Sequence, residues 1–216
     1  MKHIYCISGF GSDEKVFSKL TFTGYETHFI KWIIPVKNES ISSYAKRLAE
    51  QIHHDKPVLI GLSFGGMMCI EIAKILPIQK IILISSIKSF HELPFWMRLS
   101  GKLKLDKVLP LKTFKLIEPL QDYNLGIETI DEKELVHLYR RKINQQYSNW
   151  AVNTILNWKN EHLPENLFHI HGAKDRIFPL KKVKPDYIVN TGGHLMIMNR
   201  HNMVNEYINN ILNLKK

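Results

Sequence analysis

The first half of the chain alternates short apolar blocks with longer stretches of helical period. "HIYCISG" is a brief β-branched run closed by a glycine, and "SDEKVFSKL" follows it with Ser12 or Asp13 placed to cap a helix. "YETHFIKW" alternates as a strand does, after which "SISSYAKRLAEQIHH" sets Ile41, Tyr44, Leu48 and Ile52 on one helical face. "KPVLIG" is continuously apolar, the mark of a parallel strand buried on both sides. "FGGMMCIEIAKIL" is apolar almost all round and stops at Pro77, which predicts a deeply buried helix; "KIILISS" is a further buried strand. Repeated strand-helix alternation implies right-handed crossovers and a parallel sheet covered on both faces.

From about Ile87 to Glu161 no buried strand is visible, and stretches such as "DEKELVHLYRRKINQQYSNWAVNTILNW" read as helical. Strand alternation returns after Pro164 with "NLFHIHG" and "DYIVN". The chain closes on a helix whose apolar stripe is Val204, Tyr207, Ile208, Ile211 and Leu212. The expected organisation is therefore an α/β core from 1–86 and 164–216, interrupted by a helical insertion over 87–163, with no internal repeat and no low-complexity tract.

At 216 residues and 44% hydrophobic, the chain has enough material for one core but not for two independent domains. Its start reads as a strand rather than a leader, and no stretch approaches the roughly 18 apolar residues of a membrane helix. Cys6 and Cys69 form neither a disulfide framework nor a ligand spacing, so both are expected as buried thiols of a cytoplasmic protein. The net charge of +10 would suit an acidic partner, but lysine outnumbers arginine 24 to 6 and no nucleic-acid-binding motif accompanies it. No nucleic-acid partner is expected.

The chemistry concentrates at "GLSFGG", which follows the "PVLI" strand and opens the apolar helix. Gly61-Leu62-Ser63-Phe64-Gly65 matches G-x-S-x-G in the strand-turn-helix context that this motif requires. Exposing a serine above a sheet demands a strained turn, and side chains two residues either side would collide in it. The helix beginning there points N–H groups and its positive dipole end at any developing negative charge. Two further segments supply partners. "HIHGAKDRIFP" carries Asp175 in a loop after a strand, and "IVNTGGHLM" carries His194 after the last strand. All three lie at carboxyl ends of parallel strands, the edge where open α/β sheets bind ligands, in the chain order Ser, Asp, His. The strand "KIILISS" offers only Ser85 and Ser86 at the rival position for an acid.

In these segments the chain resembles the α/β-hydrolases over nearly its whole length apart from the insertion. The resemblance implies Ser63 as nucleophile, His194 as general base and acid, and Asp175 as orienter of the imidazole. It assigns the oxyanion hole to the N–H groups of Phe64 and of Phe10, the latter in "SGFGSDEKVF". It also implies that the insertion is a lid. Ser8 stands where the family often has histidine, and the family's first two strands are missing, so the fold class is a reduced, mostly parallel sheet of about six strands with helices on both faces.

No H-E-x-x-H, clustered Cys/His or D-x-D-x-D motif appears, and no phosphate loop, so neither metal nor cofactor is expected. The expected activity is hydrolysis of a carboxylic ester or thioester of a small apolar acyl substrate. Two alternatives are a non-catalytic, receptor-like binder of a small molecule, and use of the triad as a base for C–C cleavage or elimination. Phe90, Phe95, Trp96, Met97, Phe114, Tyr123, Tyr139, Tyr147, Trp150 and Trp158 supply the insertion's candidates for an acyl pocket. Between Lys88 and Lys115 seven basic residues face only Glu92 and Asp106, which reads either as a solvated surface or as a dock for an acidic acyl carrier. The layout loosely resembles the pimeloyl-carrier methyl ester esterases.

Overall fold

The computed structural model describes residues 1–103 and 118–214. Six strands form one sheet among them: β1 (Lys2–Ile7), β2 (Tyr25–Ile30), β3 (Val58–Leu62), β4 (Lys80–Ile84), β5 (Leu167–Gly172) and β6 (Tyr187–Val189). Their order is β2-β1-β3-β4-β5-β6 and every pairing is parallel. Between β2 and β4 the chain forms α1 (Ile41–Ala49) and α2 (Phe64–Ala73); between β4 and β5, α3 (Phe95–Lys102), α4 (Glu118–Leu125), α5 (Ile130–Lys142) and α6 (Gln145–Asn157). Two helices end the chain, α7 (Met196–Asn199) and α8 (His201–Asn213).

Alternation along the strands divides the core in two. Tyr5, Ile7, Leu59, Ile81 and Leu83 face α1 and α2, whereas Ile4, Cys6, Val58, Ile60, Ile82 and Ile84 face α8 and the loop after β1. Strands β3 and β4 are buried at every position, so their sequences run apolar without a break. Helix α2 lies between the sheet and the helices of the insertion, which explains its apolar circumference. Its one acid, Glu71, is 5% exposed and accepts from Lys74 Nζ (2.7 Å) and from Trp158 Nε1 (2.8 Å). A buried carboxylate survives there because both partners satisfy it.

Three local expectations change. The Asp13 cap exists, accepting from Lys15 N at 3.0 Å, but it starts only a single 3-10 turn over Glu14–Phe17 rather than an α-helix. Helix α1, capped by Ser40, ends at Ala49, so Ile52 packs on the core from the loop that follows. The closing helix is preceded by the short α7, with Arg200 between them. Cys6 and Cys69 are both free and buried. Among the described residues no helix is long and apolar enough to cross a membrane.

Helix α8 is tied to the sheet by a buried cation. Lys80, at the first position of β4, donates from Nζ to the carbonyls of Ile211 (2.7 Å) and Leu214 (2.6 Å). An ammonium at a helix C-terminus satisfies carbonyls that lack intrahelical partners and opposes the negative end of the dipole. Lys80→Met keeps the apolar stem and removes the donor; it should cost about 2–3 kcal/mol in urea unfolding, as expected for losing bonds to a buried charge.

Candidate active site

Ser63 stands between β3 and α2 with φ 52° and ψ −118°, a conformation that a residue bearing a Cβ rarely adopts. The surroundings impose it. A Cβ on Gly61 would stand 2.5 Å from the backbone of Gly66, and one on Gly65 would strike the carbonyls of Ile7 and Ser8. The turn is also bonded from both sides. Ser63 N donates to Ile84 O at 2.9 Å, and Ser86 Oγ donates to Ser63 O at 2.6 Å. These contacts lift the Ser63 hydroxyl above the sheet edge while β3 and α2 stay buried.

The other two sequence-selected side chains meet it there. A carboxylate only accepts, so His194 Nδ1–H donates to Asp175 Oδ2 at 2.8 Å. Nε2 then carries a lone pair, and Ser63 Oγ–H donates to it at 3.0 Å. Asp175 is 3% exposed, and its second oxygen accepts from the backbone N–H groups of Ile177 (2.8 Å) and Phe178 (2.9 Å). Those bonds leave the carboxylate one orientation, with Oδ2 toward the imidazole. The ring of Phe178 meets His194 edge-on at 5.6 Å and helps exclude water.

Phe64 is the first residue of α2, so its N–H belongs to the unpaired start of that helix. The loop carrying Phe10 passes beside Ser63: a Cβ on Gly9 would lie 3.6 Å from that of Ser63. Ser8 packs inward. It is 3% exposed, donates to Ser12 O at 2.6 Å and accepts from Trp32 Nε1 at 3.0 Å; Trp32 also reaches Gly9 O at 3.2 Å. Trp32 therefore supports this loop. It and Ser86 are contributors that residue pattern did not single out, because neither belongs to a motif of fixed spacing.

Two more histidines lie behind the aspartate. His171 Nε2–H donates to Phe178 O at 2.7 Å, so its Nδ1 accepts from His169 Nε2–H at 3.1 Å. His171 Nε2 also stands 3.6 Å from Asp175 Oδ2. Burial holds both imidazoles below their ordinary value, and they act as neutral buttresses of the Asp175–Phe178 turn.

The helices after β4 touch both loops of the site. Leu195 N donates to Leu125 O at 2.9 Å, next to His194, and Tyr139 Oη donates to Asp13 Oδ1 at 2.6 Å. Tyr147 stacks parallel to Phe10 at 6.0 Å and lies 5.5 Å from Trp32; Trp150 meets Phe64 edge-on at 6.0 Å. The candidate pocket aromatics thus separate. Tyr147 and Trp150 join the cluster around Phe10 and Phe64, Trp158 is spent on Glu71, and Phe95 and Trp96 are exposed. Phe114 lies outside the described residues, as do Lys104, Asp106, Lys107, Lys112 and Lys115 of the basic stretch. Of the rest of that stretch, Lys88 Nζ donates to Lys184 O and Arg98 lies over the Phe90 ring.

This topology is shared by solved structures of one superfamily. The chain has the α/β-hydrolase fold. It is similar to a lipase-esterase related protein from Clostridium acetobutylicum, with 19% identity, 97% of this chain and 94% of that one covered, and a TM-score of 0.65. A hydrolase from Oleispira antarctica shares 13% identity over 99% and 92% of the two chains with a TM-score of 0.74. The epoxide hydrolase of Bacillus megaterium shares 13% over 99% and 94%, with a TM-score of 0.70. No family model and no curated protein sequence matches the chain. These α/β-hydrolase structures cover 97–99% of the chain, at identities that carry the fold and not the chemistry.

The two buried histidines give a pH prediction. Both have folded values depressed below 6.5, so below that pH the unfolded chain binds protons that the folded chain refuses. Their contribution is constant above pH about 6.5 and is lost as pH falls, with a slope of up to about 2.7 kcal/mol per pH unit for the pair. Chemical unfolding between pH 7.5 and 5 should show this slope flatten in the doubly substituted His169→Gln, His171→Gln protein.

Proposed function

We infer that this protein is a serine hydrolase that cleaves a carboxylic ester or thioester of a small apolar acyl group. The observation that carries the reading is the continuous chain of hydrogen bonds from Asp175 through His194 to the hydroxyl of Ser63, on a residue held at positive φ. No ordinary turn needs that strain, a buried imidazole and a buried carboxylate together.

In the proposed reaction His194 Nε2 takes the Ser63 proton as Oγ attacks the acyl carbonyl. Asp175 stabilises the imidazolium that results and keeps Nδ1 as the donor. The N–H groups of Phe64 and Phe10 receive the developing oxyanion, where fixed dipoles are worth more than mobile water. His194 returns its proton to the departing alcohol or thiol, and the acyl-enzyme yields to a water deprotonated by the same histidine. Burial pushes the thiols of Cys6 and Cys69 up, so neither competes as a nucleophile.

The aromatic cluster of Phe10, Trp32, Tyr147 and Trp150 beside Phe64 supports an apolar acyl group over a sugar or a peptide. The insertion over 87–163 would act as the lid, since its described helices supply Tyr147 and Trp150 and bond to both site loops. The similar lipase-esterase related protein agrees in class with this reading. Docking of an acidic acyl carrier rests on the charge of the 88–115 stretch alone.

A chain-length series of nitrophenyl esters and acyl thioesters tests the reading. Ser63→Ala should lower kcat by about 10⁶ and Asp175→Asn by about 10⁴, with folding intact by circular dichroism. A Ser63→Ala protein retaining a rate within about tenfold of the parent would discard the mechanism.

A further inference from the structure

A second cluster of chemically capable side chains lies away from Ser63, at the opposite edge of the sheet. Parallel pairing sets His3 beside Glu26 and Tyr5 beside His28. The period of two along each strand then puts all four on one face. The loop leading into β3 adds His54. His3 Nδ1 and His28 Nε2 are 3.1 Å apart, and the rings of His3 and His54 stack with centroids 3.4 Å apart. One ring nitrogen from each of the three histidines lies within 4.8 Å of the others. The Glu26 carboxylate reaches within 3.6 Å of His3 Nδ1 and 4.0 Å of His28 Nε2.

We propose that His3, His28 and His54, with Glu26 as the fourth ligand, form a binding site for a divalent transition-metal ion of the zinc class. Nitrogens about 2.05 Å from a tetrahedral ion stand about 3.3 Å from one another, close to the spacing of His3 and His28. Three imidazoles and one carboxylate suit zinc, nickel or copper, and not magnesium or calcium, which take oxygen ligands. The ring of His54 is stacked on His3 at an interplanar angle of 11°, so completing the set would require it to tilt toward its neighbours.

The surroundings have what a metal site requires beyond its ligands. Tyr5 is 2% exposed, and its hydroxyl lies 2.7 Å from His54 Nδ1 and accepts from His53 N at 3.1 Å. In the tautomer that a metal would select, Nδ1–H donates to the phenol oxygen and Nε2 of His54 is the ligating atom, the usual way an outer partner fixes a metal-bound imidazole. A groove of about 490 Å³ opens beside His28 and His54, lined also by Thr27, Phe29 and Gln51, and gives an ion a path in. Positions 3, 26, 28 and 54 are too far apart for any local motif to display them, which is why motif spacing alone predicts no metal. Strand pairing assembles the site. An ion there would clip β2, one of the two edge strands, to β1 and to the loop before β3, and would leave the serine end of the sheet untouched.

The test is calorimetric titration of the tag-free, chelator-stripped protein with Zn²⁺, alongside elemental analysis of the dialysed complex. The expected result is one ion per chain and a Tm that rises with zinc concentration. His28→Gln should weaken binding by about 100-fold and Tyr5→Phe by about tenfold, while His91→Ala, an exposed histidine outside the cluster and its groove, should bind as the parent does. Should His28→Gln fold poorly, His54→Gln replaces it, with the same loss expected. No saturable binding at roughly 100 µM Zn²⁺ overturns the proposal, as does binding that survives loss of either histidine.

Discussion

The positive φ of Ser63 is the constraint on which the site depends. A serine rarely holds that conformation, so the surrounding backbone must enforce it, and the enforcement reaches across four segments. Gly61 lets the end of β3 touch the start of α2, and Gly65 lets α2 slide under the carbonyls of Ile7 and Ser8. Ser86, beyond the end of β4, binds the carbonyl of Ser63 itself. The end of β1 is thereby brought over the serine, and Gly9 and Phe10 come with it. One strained residue thus determines where the reacting hydroxyl sits and which loop lies beside it.

The imidazole and the carboxylate arrive from strands far along the chain, and each comes with its own support. Asp175 is held by two backbone N–H groups and by a turn that His171 and His169 brace from behind. His194 follows β6 and is steadied through Leu195 by the helical segment, whose Leu125 carbonyl accepts its N–H. The helices between β4 and β5 are therefore more than a covering layer. They bond to the histidine loop at Leu125 and to the β1 loop at Tyr139, and they place Tyr147 and Trp150 against Phe10 and Phe64.

Much of this was legible in the chain because the signals were local. The buried strands β3 and β4 announce themselves as unbroken apolar runs, and the serine turn as glycines at two fixed offsets. Asp175 and His194 are marked by their places just after strands. What escaped was whatever depends on pairing between distant segments. Trp32 looks like an ordinary residue after a strand, yet it holds Ser8 and Gly9. Glu71 looks like a misfit in an apolar helix until Trp158 and Lys74 reach it. The expected helix after β1 shrank to one 3-10 turn, because the loop must stay close to the serine and Val16 and Phe17 are drawn into the core at once. The histidines at 3, 28 and 54 carried no signal until β1 and β2 lay side by side.

The measurement that bears most directly on Ser63 is reaction of the purified protein with a fluorophosphonate probe, read by intact mass beside Ser63→Ala. An activated serine within hydrogen-bond reach of His194 should take up a single phosphonyl group, and the variant none. A folded parent that stays unlabelled, or a variant that labels equally, would contradict the assignment of Ser63 as nucleophile.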